Sequence, residues 1–173
     1  MTWSRRRVLG ATLLLPLEGL AQTCGLTARQ TEGPFFKTDT PRRTSFIEGK
    51  ISRRLVLEGR VLSAQCKPVP NALLDFWHAD EEGDYDNRGF RYRGHQHTDA
   101  QGRYRLETIV PAEYPGRTRH IHVKAQAPGR RVLTTQLYFP DDPANARDFL
   151  YKPELAMKMP GREAGVFDFV VDA

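Results

Sequence analysis

From residue 52 onward the chain is a series of short segments with the composition of β-strands, separated by clusters of turn-forming residues. These segments are rich in β-branched or aromatic residues, or alternate apolar with polar ones, as half-buried strands do. They comprise residues 56–62, 73–78, 103–109, 120–125, 132–139 and 165–171. Turn formers separate them, for example at residues 83–94, 99–102 and 111–116. Short strands at this spacing predict an all-β sandwich or barrel.

Helical signal is confined to residues 142–150, which predict one short helix. Residues 22–50 contain few apolar runs and many turn formers, so we expect an ordered arm that wraps over the sheets. A chain of 173 residues with 39% hydrophobic content suffices for one domain core. The predicted organisation is therefore an N-terminal arm, residues 22–50, and one β-domain, residues 51–173.

The first 21 residues have the pattern of an export signal. Arg5, Arg6 and Arg7 precede an apolar run at residues 8–17, and small residues follow near residue 21. This run is too short to span a bilayer core of about 30 Å, so it predicts a cleaved signal peptide. The order Ser-Arg-Arg-Arg-Val-Leu resembles a twin-arginine signal, and an ordinary secretory leader is the alternative. We expect a periplasmic or secreted protein without stable membrane association.

Charge and cysteine content fit this location. Removal of residues 1–21 takes away three arginines and one glutamate, and lowers the formal net charge from +5 to +3. That small excess requires no nucleic-acid partner. Cys24 and Cys66 are the only cysteines, and an oxidising compartment favours a disulfide between them. Two free thiols, or lipidation of Cys24, are the alternatives.

A histidine pair is the strongest candidate for chemistry. His120 and His122 are two residues apart in a predicted strand, so both side chains point to one face of the sheet. They could bind a metal ion or form ordinary hydrogen bonds within the strand. Tyr85 and Tyr114 follow turn-forming residues, where a side chain can be aimed at a site, although each alone is an ordinary loop tyrosine. Two phenolates and two imidazoles together would suit ferric iron.

Motifs in a fixed order along the chain resemble the intradiol ring-cleavage dioxygenases. They lie at residues 31–36, 70–85, 93–104, 108–117, 120–123 and 135–140. The resemblance implies an antiparallel β-sandwich, a bound ferric ion, Fe(III), and cleavage of a small aromatic diol by O2 between its two hydroxyls. It assigns the iron ligands to Tyr85, Tyr114, His120 and His122.

Roles for three residues follow from the same resemblance. Tyr114 is implied to be the ligand that a substrate displaces, Arg117 an arginine over the bound ring, and Gln136 a supporting glutamine. Side chains alternate along a strand, and Arg117 lies three residues before His120. This strand parity would place Arg117 on the face opposite His120, unless the turn at residues 115–116 redirects it.

The remaining histidines are assigned to structure or surface. His95 and His97 form a second pair, which we expect at a loop edge, facing solvent or a pocket rim rather than a metal. We expect His78 to be a buried, hydrogen-bonded histidine.

Two rival functions use the same residues. One is a non-catalytic exported β-sandwich whose aromatic side chains line a binding groove. The other is a zinc hydrolase, in which the histidine pair at 120 and 122 is joined by a carboxylate from Asp80, Glu82 or Asp84. The sequence leaves the choice of diol open and is compatible with a monomer or a small homo-oligomer.

Overall fold

Two β-sheets packed face to face frame the molecule, which the computed structural model describes for residues 23–173. The predicted signal peptide lies outside the described residues. The strands in this range are β1 (Arg54–Ser63), β2 (Leu73–Trp77), β3 (Arg93–His97), β4 (Arg103–Ile109), β5 (His120–Gln126), β6 (Leu133–Tyr138), β7 (Lys158–Gly161), β8 (Ala164–Val166) and β9 (Phe169–Val171). Two short 3₁₀ helices, Pro143–Arg147 and Pro153–Leu155, lie between β6 and β7.

The strands form one four-stranded and one five-stranded sheet. The four-stranded sheet has the order β3-β2-β5-β6 and is antiparallel throughout. The other has the order β4-β1-β8-β7, with β9 also paired to β1. In it, β1 is antiparallel to β4 and parallel to β8 and β9. The predicted all-β sandwich is confirmed, with two parallel pairings that the sequence did not indicate.

The core fills the space between the two sheets. Leu57 of β1 and Ile121 and Val123 of β5 are fully buried in one apolar cluster. Because side chains alternate along a strand, His120 and His122 project from the opposite face of β5. We call this face of the four-stranded sheet, turned away from the core, the outer face.

The arm crosses from one sheet to the other. Arg42 forms an isolated bridge with His95 of β3, and Ser45 forms one with Glu107 of β4. Both β3 and β4 are edge strands, so the arm covers two sheet edges that would otherwise be open. The boundary that we predicted between arm and domain stays a prediction.

The predicted disulfide is confirmed. Cys24 and Cys66 are bonded, with their Cα atoms 5.3 Å apart, and they close a separation of 42 residues. The bond fastens the beginning of the arm to the turn that follows β1. Within residues 23–173, no helix has the length and apolar character needed to cross a bilayer.

Several elements differ from their predicted form. β3 occupies residues expected at a loop edge: its sequence RGHQH lacks β-branched residues, and pairing with β2 and cover from the arm make it a strand. The predicted strand 165–171 is divided into β8 and β9, because the Asp168 carboxylate accepts the backbone N–H of Arg60 at 2.8 Å. The predicted helix is a single 3₁₀ segment, and β7 was not predicted.

Candidate metal centre

One row of directly paired residues crosses the four-stranded sheet beside the histidine pair. Arg93 of β3 pairs with Trp77 of β2, Trp77 pairs with His122 of β5, and His122 pairs with Gln136 of β6. Directly paired residues point to the same face of a sheet, here the outer face. All four side chains are buried. The strand register therefore gathers residues from four separate parts of the chain.

The two imidazoles meet on the outer face. Their Nε2 atoms are 3.1 Å apart, and both residues are buried. Nδ1 of His120 donates to the carbonyl oxygen of Thr118 at 2.6 Å, so Nε2 of His120 keeps its lone pair. Burial lowers the pKa of His120 to about 4 and the pKa of His122 well below its ordinary value. Both rings are therefore neutral near pH 7, which is the form of histidine that binds metals.

A loop between β2 and β3 brings a phenol to this pair. The Tyr85 hydroxyl lies 3.4 Å from Nε2 of His120. Gly83 allows the approach, because its φ is +92° and a Cβ at this position would lie 2.5 Å from the carbonyl oxygen of Glu113. Glu113 immediately precedes Tyr114, so the two tyrosine-bearing segments pack backbone against backbone at this glycine.

Tyr114 lies beside Tyr85, with ring centroids 6.1 Å apart in an edge-to-face arrangement. A tight turn follows, in which the N–H of Arg117 donates to the carbonyl oxygen of Tyr114 at 2.8 Å and Gly116 adopts a φ of +79°. Because β5 begins only at His120, strand parity does not apply to Arg117. The turn redirects the chain, and the guanidinium reaches the outer face.

Arg117 is held there by side chains from two other elements. Its Nη2 donates to Oε1 of Gln136 at 2.6 Å, and its Nε donates to Oδ2 of Asp148 at 2.9 Å. Gln136 in turn donates from Nε2 to the carbonyl oxygen of Thr31 in the arm, at 2.8 Å. The Tyr138 hydroxyl also donates to Oε1 of Gln136. Gln136 therefore connects the arginine, the sheet and the arm.

The arm forms one wall of the site. Phe35 stacks on Tyr85 with ring centroids 4.3 Å apart and meets Tyr114 edge-on at 5.4 Å. A Cβ added to Gly33 would lie 3.3 Å from Cε1 of His122, so the arm backbone passes directly over that ring. The arm therefore packs against both tyrosines and against His122.

The donor set fits a hard, highly charged cation. The Tyr85 hydroxyl and Nε2 of His122 both lie within 3.4 Å of Nε2 of His120, and the Tyr114 ring adjoins them. Burial raises the pKa of Tyr85, so its phenol stays neutral unless a strong cation displaces the proton. Ferric iron is such a cation, and phenolate oxygen is a hard ligand. The residues present therefore fit the Fe(III) that the resemblance implies.

The zinc alternative lacks a third ligand. Among residues 23–173, no three histidine, cysteine, aspartate or glutamate side chains are grouped so as to hold a metal. Asp80 instead closes a turn, where its Oδ1 accepts the backbone N–H groups of Glu82 and Asp84 at 3.0 and 2.9 Å. Glu82 and Asp84 themselves are exposed. These contacts do not favour a zinc hydrolase.

The other histidines have ordinary surroundings. Nδ1 of His95 donates to the carbonyl oxygen of Thr40 at 2.8 Å, and His97 is exposed. His78 is buried, with its two ring nitrogens bonded to the Ala79 carbonyl oxygen and the Thr108 hydroxyl at 2.7 Å each. His78 is therefore the satisfied buried histidine that we expected.

Four side chains that contact the cluster received no role from the sequence: Phe35, Trp77, Arg93 and Asp148. The first three lie inside motifs that carry the family resemblance, which was the available signal. Asp148 carried none, because it fell within a predicted helix, and only the fold shows that its carboxylate is buried against Arg117.

The fold and the donor set together define a β-sandwich with a candidate non-haem metal centre of two phenols and two imidazoles. Residues 31–170 match the sequence model of a family described as dioxygenase. Relatives named catechol, hydroxyquinol and protocatechuate dioxygenases match as well. The chain therefore belongs to the intradiol ring-cleavage dioxygenase family.

Individual relatives show how far the similarity extends. The catechol 1,2-dioxygenase of Acinetobacter baylyi is 31% identical in an alignment of 155 positions, gaps included, that covers 72% of this chain and 50% of that enzyme. The protocatechuate 3,4-dioxygenase beta chain of Burkholderia cepacia is 38% identical in an alignment of 127 positions, gaps included, that covers 61% of this chain and 54% of that protein. The chain thus spans about half the length of these curated relatives.

A solved structure is similar over nearly its whole length. It is the dioxygenase domain of a dioxygenase carbohydrate-binding protein fusion from Streptomyces sp. SirexAA-E, which is 54% identical. The superposition covers 86% of this chain and 99% of that domain, with a TM-score of 0.82.

Proposed function

We propose that this protein is a ferric, non-haem enzyme that cleaves a catechol-type diol with O2 between its two hydroxyls, giving a muconate-type product. The observation that carries the proposal is the convergence of three side chains beside Tyr114: Nε2 of His120 lies 3.4 Å from the Tyr85 hydroxyl and 3.1 Å from Nε2 of His122. The names of the relatives point to the same reaction class.

Tyr85, Tyr114, His120 and His122 would hold the iron. Bound ferric iron would supply a Lewis acid that draws electron density from a diol and makes the aromatic ring reactive toward O2. The hydrogen bond from Nδ1 of His120 to the carbonyl oxygen of Thr118 leaves the lone pair of Nε2 free to bind a metal.

A diol loses protons when it binds through both oxygens, and a nearby base must accept them. Because bound iron would hold Tyr114 as a phenolate, we assign one of these protons to the Tyr114 oxygen. Tyr114 is carried by a turn and is only partly buried, so it can shift without disturbing a strand. Tyr85, stacked beneath Phe35, is held more firmly.

Arg117 supplies positive charge on the same face. Burial is the main cause of the raised pKa of Tyr85 and of the lowered pKa values of His120 and His122. The Arg117 charge adds to the lowering of the pKa at both histidines and opposes the rise at Tyr85, because it favours the less positive form of each group. A fixed guanidinium in a partly desolvated site stabilises negative charge that develops on the diol oxygens. Its bonds to Gln136 and Asp148 set its direction in advance.

Iron loading tests the ligand assignment. Purified protein loaded with ferric iron should bind one equivalent and show a visible phenolate-to-iron absorption band. Tyr85→Phe and His122→Ala should each lose the band and most of the iron, whereas His95→Ala, on the same face, should keep both. Colourless protein that takes up stoichiometric zinc instead would rule the proposal out.

Oxygen uptake tests the reaction. An oxygen electrode with catechol, protocatechuate and hydroxyquinol, combined with ultraviolet spectra of the products, would identify the diol and the position of cleavage. We expect uptake with at least one of these diols and a product cleaved between the hydroxyls. Cleavage beside the hydroxyls would contradict the assignment.

We also propose that the enzyme is exported through the twin-arginine route and acts in the periplasm or outside the cell. The Cys24–Cys66 disulfide supports this location, because such bonds persist in oxidising compartments. Replacement of both Arg5 and Arg6 by lysine should retain the protein in the cytoplasm, as measured by cell fractionation. Light scattering would distinguish a monomer from a small homo-oligomer.

A further inference from the structure

Arg93 is a buried cation with no anionic partner. It is 1% exposed, and among residues 23–173 no carboxylate oxygen lies within 4 Å of its guanidinium. Its Nη2 atom has no hydrogen-bond partner in this part of the chain. Burial of a guanidinium without an ion pair costs free energy, so such a residue is expected to have a specific task.

The partners of Arg93 are two backbone carbonyls, one in the loop that carries Tyr85 and one in the arm segment that packs on its ring. Its Nε donates to the carbonyl oxygen of Asp86 at 2.9 Å, and its Nη1 donates to that of Phe35. Asp86 follows Tyr85 in the chain, and Phe35 is the arm residue whose ring stacks on Tyr85. The guanidinium itself lies 5.8 Å from the centroid of the Tyr85 ring.

These contacts join the two segments that surround the Tyr85 ring. Tyr85 belongs to a loop without regular secondary structure, so its direction depends on tertiary contacts. One planar donor group ties the loop just after Tyr85 to the arm just above its ring, and the strand register fixes that group beside Trp77. A rigid two-donor fork suits this task better than a lysine, which presents a single flexible donor centre.

We propose that Arg93 is a positioning residue that clamps the arm to the Tyr85 loop and thereby aims the Tyr85 phenol at His120. The clamp itself is independent of metal, but its importance for iron binding rests on the proposed function. Without it, the arm segment 31–36 should open more often, and the phenol should lose its fixed direction.

Hydrogen exchange of the metal-free protein tests the clamp directly. In Arg93→Met, peptides covering residues 31–36 and 83–90 should exchange about tenfold faster or more, since two hydrogen bonds to a charged donor are lost. Arg93→Lys keeps the charge but cannot reach both carbonyls, so the same two peptides should lose protection against exchange to a smaller extent. Arg91→Met, an exposed neighbour, should leave residues 31–36 unchanged.

The iron-loaded variants give the second measurement. Arg93→Met should shift or weaken the visible band, Arg93→Lys should restore part of it, and Arg91→Met should match the wild type. If wild-type protein bound no iron, the proposed function would fail while the exchange comparison still decided the clamp. Two results would overturn the clamp. One is unchanged exchange at residues 31–36 in both Arg93 variants, and the other is a loss of protection in both that is spread evenly over all strands.

Discussion

Nε of Arg117 donates to Oδ2 of Asp148 at 2.9 Å, and this ion pair is shielded from solvent, with the two side chains 12% and 1% exposed. Asp148 is itself fixed, because Oδ2 also accepts the N–H of Thr118 at 3.0 Å and Oδ1 accepts that of Leu150 at 2.8 Å. The carboxylate therefore connects the segment after the first 3₁₀ helix to the arginine of the site. The direction of the Arg117 guanidinium depends on a residue far from the proposed metal.

Asp148→Asn should impair turnover more than iron binding. The amide cannot offset the guanidinium charge, and a loss of about 10²-fold in kcat/KM is expected if Arg117 stabilises developing negative charge. Removing one partner of a buried pair should also cost about 3 kcal/mol of unfolding free energy. Steady-state oxygen uptake and iron content, measured on the same preparation, separate the two effects.

Asp141→Asn is the matched control, because Asp141 is exposed and lies in the segment that leads to the same helix. It should retain wild-type activity and stability. An Asp148→Asn protein with full activity at saturating diol would show that Arg117 needs no orientation by this carboxylate.

Trp77 should control the affinity for iron through His122. The Trp77 and His122 rings are stacked, with centroids 4.8 Å apart and planes 6° apart. Nδ1 of His122 has no hydrogen-bond partner among the described residues, unlike Nδ1 of His120, so stacking takes over the orienting role. Trp77→Leu should weaken iron binding about 10- to 100-fold, and Trp77→Phe, which keeps a ring, should weaken it less.

Phe76→Leu provides the comparison for that experiment. Phe76 is the preceding residue on β2, fully buried on the core side of the sheet. The Phe76→Leu variant should be less stable than wild type, without a matching loss of iron affinity in metal titrations. Equal effects of Trp77→Leu and Phe76→Leu on iron affinity would mean that the stacking has no specific role.

The sequence predicted features that depend on local periodicity or composition. The shared face of His120 and His122 follows from the two-residue repeat of a strand, and the disulfide follows from there being two cysteines. The convergence of Tyr85 and Tyr114 could not be derived this way, because it depends on two loops packing at Gly83. There, family resemblance supplied the assignment.

Other parts of the site depend on tertiary contacts that leave no local pattern. The direction of Arg117 depends on the positive φ of Gly116 and on the buried carboxylate of Asp148. β3 is a strand because β2 and the arm flank it, although its own sequence is polar. A pattern within one segment cannot report what another segment covers.

The disulfide should stabilise the fold through the arm. For a separation of 42 residues, the chain-entropy model gives about 4 kcal/mol, and measured values are typically about 2–4 kcal/mol. The unfolding free energy of a Cys24→Ala/Cys66→Ala double variant should therefore be lower by that amount, as measured by urea denaturation. Amide hydrogens of the early arm, such as that of Thr27, which is bonded to the carbonyl oxygen of Val170, should exchange faster with solvent.

Wild-type protein treated with reductant should behave like the double variant, which controls for the substitutions themselves. An unfolding free energy that is unchanged in both would show that the arm adds nothing to global stability.

Asp75 should make stability depend on pH. Burial raises the pKa of Asp75 to about 6, although the hydroxyl of Thr40 and the charges of His95, Lys124 and Arg93 act in the opposite direction. A carboxyl group with a raised pKa in the folded state favours folding below its unfolded pKa of about 4, and this contribution is lost as pH rises through about 6. The full shift corresponds to at most about 3 kcal/mol, and partial exposure of Asp75 reduces it.

Asp75→Asn removes that titration while it keeps an acceptor for the Thr40 hydroxyl, which bonds Oδ1 of Asp75 at 3.0 Å. The unfolding free energy of the variant relative to wild type should therefore increase between pH 4 and pH 7, as measured by urea denaturation at each pH. Asp99→Asn should change in the opposite direction and mainly below about pH 4, because hydrogen bonds from the backbone N–H and side chain of Arg103 lower the pKa of Asp99, and the resulting stabilisation is lost as pH falls. A pH-independent difference between Asp75→Asn and wild type would mean that Asp75 ionises in the folded protein as it does in the unfolded chain.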